Sequence, residues 1–245
     1  MADDRAGSDW STLAAWYDGL LDAGSGPHET AVASLLGLVP PLAGAEVLDV
    51  ACGQGLATRA LAEAGAASVV GVDLAPSMIE TARRRTPEHL RISWRLDDAE
   101  RLGTFRDAAF DGVTCQLGLM DIADLAAALR SIRRVLRTGG WFVFVIGHPC
   151  FLAPRAVTRR DDDGRLGRLV TSYLDEEFWR SSNPNGVRGR AGNYHRALSV
   201  YLNAVLASGF RLDAVEEPRA SRLLLDQQPV YQDLPIFLAA RALAA

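Results

Sequence analysis

The run Val47-Leu48-Asp49-Val50-Ala51-Cys52-Gly53-Gln54-Gly55 reads as a buried strand that stops in a glycine turn, with a helix beginning near Thr58. Glycine carries no Cβ, so such a turn lets backbone approach a ligand closely. The helix that follows offers free N–H groups to a carboxylate or phosphate. A nucleotide-like ligand is expected at this strand end. About 20 residues further on, the run Val69 to Val72 ends in Asp73, whose carboxylate is placed to accept hydrogen bonds from a ribose diol. A dinucleotide site asks for a third glycine in G-x-G-x-x-G, which permits close helix packing. Here Gly53-Gln54-Gly55-Leu56-Ala57-Thr58 lacks it, and the pyrophosphate reading weakens.

Outward from this turn, short runs rich in Val, Ile and Phe (Glu46 to Val50, Ser68 to Val72, Phe110 to Cys115, Trp141 to Ile146) alternate with segments of helical period. That is the pattern of a parallel sheet wrapped by helices. One helix is especially clear: Leu125, Leu129, Ile132, Val135 and Leu136 share a face, and Thr138-Gly139-Gly140 ends it where a left-handed cap is needed. From Gly147 to Asn193 the text turns rich in Arg, Asp, Gly and Asn, with Pro149, Pro154 and Pro184 interrupting regular structure and Asp161-Asp162-Asp163-Gly164 as an exposed turn. Phe151, Tyr173, Phe178 and Trp179 mark this as an insertion that folds over the sheet, a candidate substrate lid. Leu198, Leu202, Val205 and Leu206 then define a helix, Phe210 to Val215 a strand, and Pro235 to Ala240 a last strand. The expected organisation is one domain: a helical cap over 1–44, a cofactor-binding core over 45–146, the lid over 147–193, and a C-terminal helix with two strands over 194–245.

With 245 residues, 49% hydrophobic and 23% charged, the chain can bury a real core, which excludes disordered, collagen-like and coiled-coil classes. A net charge of -4 gives no general attraction to nucleic acid or to an anionic membrane, and a small-molecule partner fits better. Every basic residue is Arg, so lysine Schiff bases and P-loops are excluded. Cys52, Cys115 and Cys150 are scattered with no C-x-x-C pair, so neither a metal site nor a redox motif is indicated, and a reducing cytoplasm is the default compartment. The polar, acidic start of the chain is unlike a signal peptide, and no apolar run reaches the about 18 residues that cross a bilayer.

Asp49 at the end of the first strand followed by Ala51-Cys52-Gly53-Gln54-Gly55 resembles the first motif of the class I S-adenosylmethionine-dependent methyltransferases. The likeness continues in order through Asp73, Leu74 and Met78, then Asp98-Ala99 before Leu102, then Phe110-Asp111-Gly112-Val113, then Arg134-Val135-Leu136-Arg137-Thr138-Gly139-Gly140. It implies a doubly wound, mostly parallel seven-stranded sheet, with S-adenosylmethionine as cofactor and S-adenosylhomocysteine as product. It implies that Gly53 and Gly55 lie against the methionine part of the cofactor, with Asp49 near its amino group and Asp73 on the ribose hydroxyls. Leu74 and Met78 would flank the adenine, Asp98 would accept from its exocyclic amine, and the Ala99 N–H would face a ring nitrogen. Gln116 and Leu117 would line the methionine end, and Tyr17, with Trp16 in reserve, would be the aromatic that closes over the cofactor. Ala51 stands where many members carry glycine; its small methyl should be tolerated.

Methyl transfer is an in-line displacement, so alignment and exclusion of water dominate, and a base is needed only if the acceptor is protonated. His148 directly follows the fifth strand and His195 is expected to open a helix, whose dipole favours a neutral ring; both are candidate general bases. His28 could touch cofactor or substrate, and His89 reads as surface. Past the fourth strand, Cys115-Gln116-Leu117-Gly118 lacks the [DN]-P-P-[YF] run of nucleobase amino methylation. Aromatic residues and several Arg in the lid suggest a medium-sized, partly aromatic or carboxylated acceptor. The expected function is methyl transfer to oxygen or nitrogen of a small metabolite. Its rivals are a nicotinamide-dependent oxidoreductase and a non-catalytic cofactor-binding protein.

Overall fold

A computed structural model of the chain describes residues 9–245, so residues 1–8 of the expected N-terminal cap lie outside the described residues. Two helices come first, α1 (Trp10–Asp22) and α2 (Gly26–Leu38). The sheet then begins with β1 (Glu46–Val50), followed by α3 (Leu56–Glu63), β2 (Ser68–Asp73), α4 (Pro76–Arg85), β3 (Ile92–Leu96), β4 (Phe110–Gln116), α5 (Leu125–Val135) and β5 (Leu136–Gly147). Beyond it lie β6 (Val157–Arg160), β7 (Leu166–Leu169), β8 (Glu177–Trp179), α6 (Val187–Arg190) and β9 (Asn193–His195). The chain finishes with α7 (Leu198–Ala207), β10 (Phe210–Glu216), α8 (Arg222–Gln227) and β11 (Phe237–Ala244).

Seven strands form one sheet in the order β10-β11-β5-β4-β1-β2-β3, with β11 antiparallel to both its neighbours and the other pairings parallel. The seven-stranded, mostly parallel sheet is as the resemblance implied. Chain order reverses between β1 and β4, which opens a crevice at the carboxyl ends of those strands. Buried side chains of β5 alternate: Phe142, Phe144 and Ile146 pack with α5 and α7 on one face, while Trp141, Val143 and Val145 pack with α2 and α3 on the other. A strand buried on both faces reads as the continuous apolar run that the sequence shows.

Two glycine and tryptophan pairs thin the sheet locally. Gly112 opposes Trp141 across β4 and β5, and Gly71 opposes Trp94 across β2 and β3. In each pair a Cβ on the glycine would run into the indole ring. Trp94 reaches further, onto Gly55 in the first turn, so this ring is the floor on which the turn rests.

Several local expectations shift. The first helix after the turn starts at Leu56 rather than Thr58. The clear helix stops at Val135 with Leu136 already extended, and Gly139, at φ 75°, makes a separate left-handed turn inside the long fifth strand. On α7 the buried residues are Tyr201 and Val205, and Leu206 is exposed. The segment 147–193 holds two small antiparallel pairs, β6 with β7 and β8 with β9. Among the described residues no helix is long and apolar enough to cross a membrane.

Candidate active site

The crevice at the β1/β4 switch point widens into a cavity of about 1220 Å³. Backbone shape makes its inner wall. Ala51, Gly53 and Leu117 all sit in the left-handed region, at φ 53°, 53° and 57°, where the chain leaves β1 and β4. Gly53 has open space where a side chain would stand, which is the cradle a ligand needs. Ala51 bears its methyl because Gly118 lacks one: a Cβ on Gly118 would collide with the Ala51 methyl and with Cys115 Sγ.

The expected cofactor residues Tyr17, Ala51, Gly53, Asp73, Leu74, Met78, Asp98, Ala99, Gln116 and Leu117 all line this one cavity. Asp73 is held by two backbone donors, Gly53 N at 2.8 Å on Oδ2 and Ala75 N at 2.9 Å on Oδ1, while burial raises its pKa. Asp98 Oδ1 accepts from Glu100 N at 2.9 Å, which orients the carboxylate at the cavity edge. Gln116 Oε1 is buried and, among the described residues, meets no hydrogen-bond partner, a polar atom waiting for a donor. Tyr17 shares a 2.7 Å hydrogen bond with His28 Nε2, and His28 Nδ1 a 2.6 Å one with Ser25 Oγ. Burial pushes His28 down to about 4, so the ring is neutral, and burial with the Asp121 and Asp73 charges pushes the Tyr17 phenol up.

One of the implied placements differs. Gly55 does not line the cavity; its φ of 82° and the Trp94 ring beneath it make it a structural glycine. Asp49, 1% exposed, lines a smaller adjoining cavity together with Gly53, Gln116 and Leu117. Its Oδ2 accepts from Thr58 Oγ1 at 2.6 Å and its Oδ1 from Thr114 Oγ1 at 2.7 Å. Burial pushes its pKa up to about 6 against those two hydroxyls. Thr58, in place of the third glycine, thus ties α3 to β1 through Asp49.

Both expected bases are elsewhere. His148 is 2% exposed and does not line the cavity; its Nδ1 accepts from Cys150 N at 3.3 Å, leaving Nε2 to donate to Glu217 Oε1 at 2.7 Å, with Phe151 against the ring. His195 belongs to β9 and not to a helix start, so the dipole argument lapses; it is 4% exposed and its Nε2 donates to the Tyr173 carbonyl at 2.8 Å. The reserve aromatic Trp16 lies under Arg190, its ring 4.7 Å from the guanidinium, and Tyr173 and Phe151 pack on the two histidines outside the cavity. Trp179 and Tyr194 do line it, as does His28, whereas His89 is exposed. Cys115 is fully buried, and burial pushes its thiol up, so it has no nucleophilic character.

Sequence reasoning missed two charged residues in the cavity wall, Asp121 and Arg188. Asp121 lies on the loop after β4, five residues past Gln116, and its position just beyond a strand end was the available signal. Burial pushes it up to about 7, with Arg188 opposing and the Asp73 charge adding. Arg188 is one of eight arginines in the segment 147–193, and nothing in the text singles it out.

The strand-end glycine turn, the cavity-lining carboxylate of Asp73 and the switch-point cavity define a nucleoside-binding protein of the doubly wound α/β class. Residues 48–144 match the methyltransferase domain family. The chain is similar to the S-adenosylmethionine dependent methyltransferase of Mesorhizobium loti, at 29% identity over 90% of this chain and 99% of that one, with a TM-score of 0.75. It is similar to the demethylmenaquinone methyltransferase of Tropheryma whipplei strain Twist, 37% identical over 145 residues, 56% of this chain and 59% of the other. It is also similar to the ubiquinone biosynthesis O-methyltransferase of Xanthomonas oryzae pv. oryzae strain PXO99A, 39% identical over 100 residues. The matches span 59% and 41% of those two relatives' lengths. The matched domain and these relatives together support a class I S-adenosylmethionine-dependent methyltransferase, with S-adenosylmethionine as the cofactor. The dinucleotide and non-enzymatic alternatives are set aside.

Proposed function

We propose that the protein transfers the methyl group of S-adenosylmethionine to an oxygen or nitrogen of a small metabolite. The observation that carries this reading is the size of the cavity, which continues past the cofactor residues to a second wall made by Phe178, Trp179, Arg188 and Tyr194 of the insertion. Gly53, Gln116 and Leu117 would hold the methionine part of the cofactor, Asp73 the ribose, and Leu74, Met78, Asp98 and Ala99 the adenine. When bound, the cofactor supplies an electrophilic methyl carbon on a sulfonium. The acceptor atom forms its bond to that carbon as the carbon–sulfur bond breaks, the electron pair stays on sulfur, and the acceptor proton leaves to a base. We assign that role to Asp121, because it lines the cavity and its pKa of about 7 lies near neutrality. The names of the Tropheryma and Xanthomonas relatives, both referring to quinone metabolism, support a small acceptor with a ring.

The test is calorimetric titration of purified protein, freed of carried-over ligand, with S-adenosylmethionine, S-adenosylhomocysteine and NADH, followed by an acceptor screen that reads methyl transfer. Binding of the two sulfur compounds without NADH, and turnover with a hydroxyl or amine acceptor, is expected. Binding of NADH alone would overturn the reading.

A further inference from the structure

We propose that the acceptor is a monocarboxylic acid with an apolar or aromatic body, and that the Arg188 guanidinium holds its carboxylate. This rests on the methyltransferase reading above and narrows its substrate class. Among the described residues four arginines line the cavity, and three are already engaged. Arg155 pairs with Glu177 at 3.1 Å. Arg168 donates from Nε, Nη1 and Nη2 to the Phe151 carbonyl, Thr158 Oγ1 and the Ala156 carbonyl. Arg180 donates to the Arg190 carbonyl and lies over the Phe178 ring. Arg188 differs: among the described residues, the partner its guanidinium meets is the thioether of Met120, 3.1 Å from Nη2.

A thioether is a weak acceptor, and a guanidinium carries five donors in a planar fork. Arg188 is half-buried in the cavity wall and burial lowers its pKa, so an oxygen partner there is worth more than it would be in open water. The fold makes room for it: a Cβ on Gly147, at the end of β5, would collide with Nη2, so bare backbone backs the guanidinium. A carboxylate arriving from the cavity supplies the missing oxygens in bidentate geometry. Asp121 on the same wall selects against more charge, because a phosphate dianion would face it with one guanidinium for compensation. Phe178, Trp179, Tyr194 and Tyr231 supply flat apolar surface for the rest of the molecule.

The experiment uses full-length protein saturated with S-adenosylhomocysteine, titrated with 4-hydroxyphenylacetate, with its uncharged amide and with inorganic phosphate, in wild type, Arg188→Met and Arg188→Lys. The acid is expected to bind about tenfold more tightly than the amide in wild type, to lose that preference in Arg188→Met and to keep part of it in Arg188→Lys. S-adenosylhomocysteine affinity should stay unchanged in both variants. Equal affinity for acid and amide, binding of neither, a preference that survives Arg188→Met, or tighter binding of phosphate than of the acid would overturn the inference. The wild-type comparison decides it even if a variant fails to fold. Failure of S-adenosylhomocysteine to bind at all would instead overturn the methyltransferase reading.

Discussion

Asp121, half-buried, and Asp49, fully buried, show how two carboxyls of one site part company. Asp49 is tied by hydroxyls from Thr58 and Thr114, whereas Asp121 has no hydrogen bond that lowers its pKa and the guanidinium of Arg188 opposes its burial only in part. Its folded pKa of about 7 stands above the ordinary 3.8, so the native state holds the proton more tightly than the unfolded chain. Stability contributed by this group is therefore full below pH 4, falls as pH rises toward 7, and is absent above it. Asp121→Asn should be more stable than wild type by about 4 kcal/mol at pH 8, with the gain vanishing toward pH 4, while methyl transfer falls. Urea denaturation at a series of pH values measures it, and a pH-independent difference between the two proteins would refute it.

Among the elements, the floor under the first turn carries the strongest coupling. Gly55→Ala places a methyl against Trp94 at a backbone φ of 82°, and should cost about 3 kcal/mol. In a Trp94→Leu background the same change should cost only about 1 kcal/mol, the remaining backbone strain. Additive effects in the four-protein cycle would show that the indole does not hold the turn. This contact also marks the limit of what a sequence reveals. The glycine pattern was visible from residues 47 to 55, and strand β1 has the bounds read from its apolar run. That Gly55 answers to a tryptophan on β3 and not to a ligand depends on strand register, which no local pattern encodes. His195 was misplaced for a related reason: the helix pattern was real, but its start at Leu198 follows a short strand too brief to show a period. Arg188 was invisible because the signal is a missing partner, and partners belong to the folded chain.

For the molecule as a whole, the cavity draws its walls from α1, the strand ends, the insertion and the segment after α8. Bound S-adenosylhomocysteine should therefore slow amide exchange at residues 17–28, 51–55, 73–78 and 98–99, and leave the β10–β11 edge unchanged. Hydrogen exchange with mass spectrometry reads this; protection confined to β10 and β11 would place the ligand elsewhere. One join in these walls has a temporal meaning. Gly26 N donates to Gln227 Oε1 across a sequence separation of 201, Ser221 N donates to Thr30 Oγ1, and a Cβ on Gly26 would strike the Leu224 backbone. The helix that begins at Gly26 is made well before the surface it rests on, which lies 201 residues further along the chain. Long-separation contacts form late because the closure entropy falls due first. A chain still being synthesised thus has the glycine turn before it has a fixed roof, and the ability to retain ligand waits on the arrival of that distant segment.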